Sequence, residues 1–72
     1  MEQELRERIA LNMKIERVKK GFTQEKLAEL SEVSTKHITK IEKGKVTPSI
    51  YLVYKIAKAL EVTIDTLTDR KV

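Results

Sequence analysis

The chain has 72 residues, no cysteine, one histidine and a net charge of +4, from 15 lysines and arginines against 11 acidic residues. A chain this short makes one domain and hides only about 60% of the surface its unfolded form exposes, so a large catalytic cleft is not expected, and without cysteine there are no disulfides, thiolate zinc sites or cysteine nucleophiles. No apolar run approaches the ~20 residues that span a bilayer and the N-terminal MEQELRER lacks an apolar signal core, so a cytoplasmic protein is expected, with a basic balance that suits a polyanionic partner.

Helix signals repeat along the chain and strand signals are nearly absent. From about Gln3 to Lys20, Leu5, Ile9 and Met13, with Ile15 and Val18, fall mostly three to four residues apart between charged neighbours. Gly21 stops this helix. Thr23 is a natural N-cap for a second helix, in which Leu27, Ala28 and Leu30 can face inward while Gln24, Glu25, Lys26 and Glu29 stay wet. Ser31 to Ser34 forms a turn. Ser34 caps a third helix over about Thr35–Lys43, whose only apolar residues are Ile38 and Ile41. Gly44 ends it, and Pro48 fixes an extended approach to a fourth helix, capped by Ser49 and running to about Glu61 with Ile50, Val53, Ile56, Ala57 and Leu60 along one face. Thr63 caps a last short helix holding Ile64 and Leu67. The expected architecture is all-α, five short helices with connections of a few residues and no internal repeat or low-complexity tract.

The third helix decides between a plain bundle and a DNA reader. Thr35, Lys36, His37, Thr39, Lys40 and Lys43 surround its two apolar residues, so it has little to bury and much to offer a groove. In the major groove each base pair shows a distinct pattern of donors, acceptors and methyls; lysine can donate to guanine O6 and N7, and a threonine methyl can pack on a thymine methyl. The N-terminus of the second helix, at Thr23 and Gln24, supplies free N–H groups and a positive dipole end that suit a phosphate.

These residues resemble the Cro/C1-type, or Xre-like, helix-turn-helix repressors of phages and bacteria. The resemblance covers about Met13 to Leu67 through G-x-T-Q-E-x-L-A (Gly21 to Ala28), V-S (Val33, Ser34), I-x-x-I-E-x-G (Ile38 to Gly44), P-S (Pro48, Ser49) and I-A-x-A-L (Ile56 to Leu60). It implies a compact, lambda-repressor-like DNA-binding domain with the helix-turn-helix at its second and third helices. It also implies that Gln24 touches a phosphate and braces a base-reading side chain, that Thr35, Lys36 and Lys40 read bases, and that Lys43 and Lys45 contact the backbone. Arg17 and Glu42 match a pair that forms an internal salt bridge. The sequence departs from the pattern where glycine is common in the turn: Glu32 stands there, at a cost of roughly 1–2 kcal/mol for a left-handed non-glycine residue. Glu16 occupies a commonly apolar position, and Met1 to Arg8 is an extension of the first helix without a counterpart.

The remaining residues have plainer readings. His37 has no second ligand at metal spacing, so no metal site is expected and exposure or a rim contact to DNA is its role. Thr23, Thr39 and Tyr51, the last close behind the Pro48 turn, are further candidates for backbone or bracing contacts. There is no Ser/His/Asp or Cys/His arrangement, glycine-rich phosphate loop or histidine cluster, so neither an enzyme nor a cofactor is expected. Acidic Glu2, Glu4, Glu7 and Glu16 offset the basic residues of the first helix and argue against membrane-surface binding.

One such domain touches about four or five base pairs, too few for useful specificity. A homodimer is therefore expected, reading an inverted repeat through two recognition helices ~34 Å apart, with Ile64, Leu67 and Val72 of the C-terminal segment as the interface and the long first helix as the second choice. The alternative is an antitoxin-like module that binds a partner protein and regulates its own synthesis, with Leu5 and Ile9 of the N-terminal extension as its only candidate surface.

Overall fold

The computed structural model describes residues 1–69. It contains α1 (Glu2–Lys20), α2 (Gln24–Ser31), α3 (Thr35–Glu42), α4 (Ile50–Leu60) and α5 (Ile64–Thr68), with no strand among the described residues. Four of these helices begin on a hydroxyl that accepts a backbone N–H otherwise left without a partner: Thr23 from Lys26 (3.0 Å), Ser34 from His37 (3.1 Å), Ser49 from Leu52 (3.2 Å) and Thr63 from Thr66 (3.1 Å). α1 instead has Glu2 and Glu4 in its first turn and Arg17, Lys19 and Lys20 in its last, charges that suit its dipole.

Three helices end in a left-handed residue that lets two N–H groups turn back onto the last carbonyls. Gly21 does so at φ 74°, but Glu32 (φ 58°) and Glu61 (φ 60°) do so without being glycine. Their neighbours hold them there. Val33 N donates to Ala28 O (3.1 Å) and Val62 N to Ala57 O (2.9 Å), while Lys55 Nζ donates to the Glu32 carbonyl (3.3 Å). Glu32→Gly removes the Cβ strain at the cost of a more flexible unfolded chain, and it should raise stability by about 0.5–1 kcal/mol in urea unfolding.

The core gathers Ile9 and Met13 from α1, Leu27 and Ala28 from α2, Val33, Ile38 and Ile41, the α4 stripe Val53, Ile56, Ala57 and Leu60, and Leu67 from α5. Leu5 packs against it, so the N-terminal extension is an integral first turn of α1 rather than an appendage. Three inward assignments differ from expectation. Val18, Leu30 and Ile50 are exposed. Glu16 takes the inward position beside half-buried Ile15, with Lys19 Nζ 3.6 Å from its carboxylate. In α2, Ser31 follows Leu27 by four residues and completes the inward stripe, its hydroxyl donating to the Leu27 carbonyl (2.7 Å).

α5 is fastened by α1 through side chains. Asn12, fully buried, donates from Nδ2 to the carbonyls of Leu67 (3.0 Å) and Asp69 (2.7 Å), and Arg8 Nη1 donates to that of Thr68 (3.1 Å). The end of a five-residue helix thus has its free carbonyls satisfied by its neighbour.

The ends of α1 and α4 are joined by Lys20 Nζ and Glu61 Oε1 at 2.5 Å. The lysine's hydrogen bond and charge hold the Glu61 carboxyl below its ordinary value of 4.5. A carboxyl lowered by folding stabilises above that value and loses its contribution as pH falls through the lower, folded one. Glu61→Gln should therefore lower the melting temperature at pH 7, and the gap from wild type should shrink toward pH 3.

Candidate nucleic-acid interface

The helix-turn-helix angle is fixed from beneath by apolar residues and from the side by a polar network. Leu27 and Ala28 of α2 and Ile38 and Ile41 of α3 are all buried. At the edge of this contact Arg17 Nε and Nη2 donate to Glu42 Oε2 and Oε1 at 2.7 and 3.2 Å, and Arg17 Nη1 donates to the Phe22 carbonyl at 2.7 Å. The fork of the guanidinium matches the carboxylate in two parallel bonds, which fixes orientation as well as distance. The expected Arg17–Glu42 pair is present and little exposed, with side chains 13% and 4% accessible.

Gln24 extends this network to the surface of α3. Its Nε2 donates to Glu42 Oε1 (3.0 Å), and its Oε1 accepts from Thr39 Oγ1 (2.9 Å). Arg17 on α1, Gln24 at the start of α2, and Thr39 and Glu42 on α3 form one connected unit. With one amide N–H of Gln24 held by Glu42, its second amide N–H is the donor left to reach outward. The same bonds hold the N-terminus of α2, with Thr23 exposed beside it, next to the middle of α3.

The outer surface of α3 is open. Lys36 and Lys40 are exposed, and together with His37, Ser34 and Val46 they line one shallow cleft. Thr35, His37 and Thr39 are half-buried. Lys43 caps α3, and Gly44 turns the chain at φ 70°, where the Lys45 N–H donates to the Lys40 carbonyl (3.2 Å) and Arg6 Nε donates to the Gly44 carbonyl (3.3 Å). Lys43 and Lys45 are thus exposed at the C-terminal end of α3. Ser34 and Val46 were missed as cleft residues because a cap and a loop valine carry no chemical signal of their own.

The family can be decided from this geometry and its sequence together. A helix-turn-helix family model, HTH_3, matches residues 5–67. The chain belongs to the HTH_3 helix-turn-helix family. An HTH-type transcriptional regulator of Archaeoglobus fulgidus is 45% identical over 51 residues, 71% of this chain and 73% of its own. One of Methanocaldococcus jannaschii is 45% identical over 53 residues, 74% of this chain and 80% of its own. Among solved structures, an HTH_3 family transcriptional regulator from Vibrio cholerae superposes with a TM-score of 0.90 at 28% identity over 93% of this chain, which spans 38% of that protein. The restriction-modification controller protein C.AhdI from Aeromonas hydrophila matches with a TM-score of 0.83 at 27% identity, over 86% of this chain and 94% of its own. As an HTH_3 protein the chain is a DNA-binding transcriptional regulator, not an enzyme. No described helix is long and apolar enough to cross a membrane.

The other expected site residues lie apart from the α3 cleft. Tyr51 is exposed on α4 and lines a groove with Phe22, Leu30 and Tyr54, with Lys55 Nζ 5.0 Å from its ring centre. Leu67 is 1% exposed and belongs to the chain's own core, so it has no surface to give a second copy. That correction has a simple cause: Asn12 and Arg8 pull the end of α5 onto α1, and closeness to the chain's end is not exposure. Ile64 is half-buried and lines a shallow apolar pocket with Tyr54, Ala57 and Val62. Val72 lies outside the described residues.

Proposed function

We propose that this regulator is a repressor that reads an inverted-repeat operator as a homodimer, with α3 of each copy in a major groove. The observation that carries this reading is the Arg17–Glu42–Gln24–Thr39 network, which fixes α3 against α1 and α2 while Lys36 and Lys40 stay exposed on an open cleft of α3. A helix held in this way need not be reoriented to bring its side chains to base edges, which spares part of the ordering cost of binding. Thr35, Lys36 and Lys40 read bases, and His37 lies at the rim of the same contact. Thr23, Gln24, Lys43 and Lys45 hold the phosphates on either side, Gln24 through its remaining N–H and by keeping Thr39 in place. The copies meet through Ile64, with Tyr54 and Val62 taking the place that Leu67 cannot fill. The whole chain acts as this single DNA-binding unit, and repression follows where its site overlaps a promoter. The partner-protein reading rested on Leu5 and Ile9, and both are taken up by the chain's own core.

Binding measured against salt separates the two kinds of lysine. Lys40→Ala should relax preference at one base position, by about 1–3 kcal/mol of discrimination. Lys45→Ala should weaken all sequences alike and lower the salt slope by about one unit. Equal losses on every sequence from both substitutions would sink the assignment of roles.

A further inference from the structure

The outer face of α1 carries a pattern that neither the core nor the α3 cleft uses. Glu4, Glu7, Leu11, Lys14 and Val18 recur at alternating three- and four-residue steps, the spacing of a heptad seam, and all are exposed. Leu11 is 56% and Val18 60% accessible, with half-buried Ile15 beside them. Apolar residues one heptad apart on the solvent side of a helix are what a partner helix covers. The charges on this face are segregated: Glu4 and Glu7 precede Leu11, and Lys14 follows it. Glu4 lies 3.5 Å from Arg8 and Gln3 donates to Glu7 at 3.4 Å, both contacts within one helix surface and of little energetic weight.

We propose that this face binds the same face of a second copy, with the two α1 helices antiparallel. Each Leu11 then lies near the twofold axis, each Glu7 meets the partner's Lys14, and each Val18 packs over the stem of the partner's Glu4. Parallel pairing would stack Glu7 on Glu7 and Lys14 on Lys14, and a uniformly charged partner helix would leave one half of the face mismatched. Charge order along α1 therefore selects a second copy in one orientation. No residue of this face lines the Ile64 pocket or the α3 cleft, so the contact is separate from both. A single helix pair falls below the roughly 1,200 Å² of a standard interface. The contact is accordingly weak in solution and acts where DNA holds copies side by side, making occupancy of neighbouring sites cooperative.

Sedimentation velocity of the full chain without DNA, over a range of high protein concentrations, tests this with Glu7→Lys and Lys14→Glu. Each substitution alone should weaken the association step by about tenfold, and an equimolar mixture of the two should restore it, because each variant supplies the charge the other lacks. Unchanged helical circular dichroism and unchanged binding to a single half-site show that both variants are folded. If the Ile64 face also joins two copies, the step affected is dimer to tetramer; if it does not, the step is monomer to dimer, so the two surfaces are read separately. A wild-type chain without such a step, variants that associate like wild type, or a mixture as weak as its components would each overturn the proposal.

Discussion

Glu42→Ala should destabilise the protein by about 3–5 kcal/mol, because it leaves the largely buried Arg17 guanidinium with only the Phe22 carbonyl and removes the acceptor for Gln24 Nε2. In a small domain whose total stability is on the order of 5–15 kcal/mol, that should lower the melting temperature by on the order of 20 °C, measured by circular dichroism. Removing both charges is a different experiment. Arg17→Met with Glu42→Leu should recover most of the stability, since no buried charge is left alone and the site stays filled. It should not recover sequence discrimination, because Gln24 loses the acceptor that, with Thr39, fixes its amide. A double variant that is stable and still discriminates between DNA sequences like wild type would show that the network serves stability alone.

Asn12→Asp should be the most damaging single-atom change in the chain. The Asn12 amide donates to two main-chain carbonyls from a fully buried position, whereas an ionised aspartate has only acceptors to set against them. Burying a carboxylate against two oxygens costs several kcal/mol, on the order of 3 or more, and drives the group to bind a proton. Its folded pKa is then raised, so the variant's stability is best below the unfolded value of about 4 and falls as pH rises through the folded one. Urea unfolding should show a small gap between variant and wild type near pH 4 and a large one at pH 7. Asn12→Ala, which removes the donors without adding charge, should cost about 1–3 kcal/mol at either pH. A gap for Asn12→Asp that does not widen with pH would contradict this account of how α5 is held.

These two positions also mark the boundary of what could be read from the sequence. Capping threonines and serines, Gly21 and Gly44, and the apolar spacing of α4 each act locally, so helix order was legible from neighbours in the chain. The lysines of α3 were legible for the opposite reason, since a helix with two apolar residues has little else to do with its surface. The Arg17–Glu42 pair spans 25 residues and follows from no local rule; only the resemblance to a family pointed to it. Asn12, Glu16 and Ser31 could not be found that way, because a polar residue in a helix reads as wet unless its buried partners are known. Leu67 was misplaced for the converse reason: a residue near the end of a chain reads as uncovered until the side chains that pull it inward are seen. The turn at Glu32 departs from the sequence rule without departing from the geometry, because the Val33 N–H pairs with the Ala28 carbonyl as it would after a glycine, and Lys55 holds the carbonyl of Glu32 itself.

The central claim is that α3, held by the Arg17–Glu42–Gln24–Thr39 network, reads base sequence through Lys36 and Lys40. Selection from a pool of random duplex DNA, run in parallel with wild type and Lys40→Ala, tests it most directly. Wild type should enrich an inverted repeat with half-site centres about 10 base pairs apart, and Lys40→Ala should enrich the same repeat with one position in each half-site relaxed. An enriched motif that Lys40→Ala leaves unchanged at every position, or a wild-type pool that shows no motif at all, would contradict it.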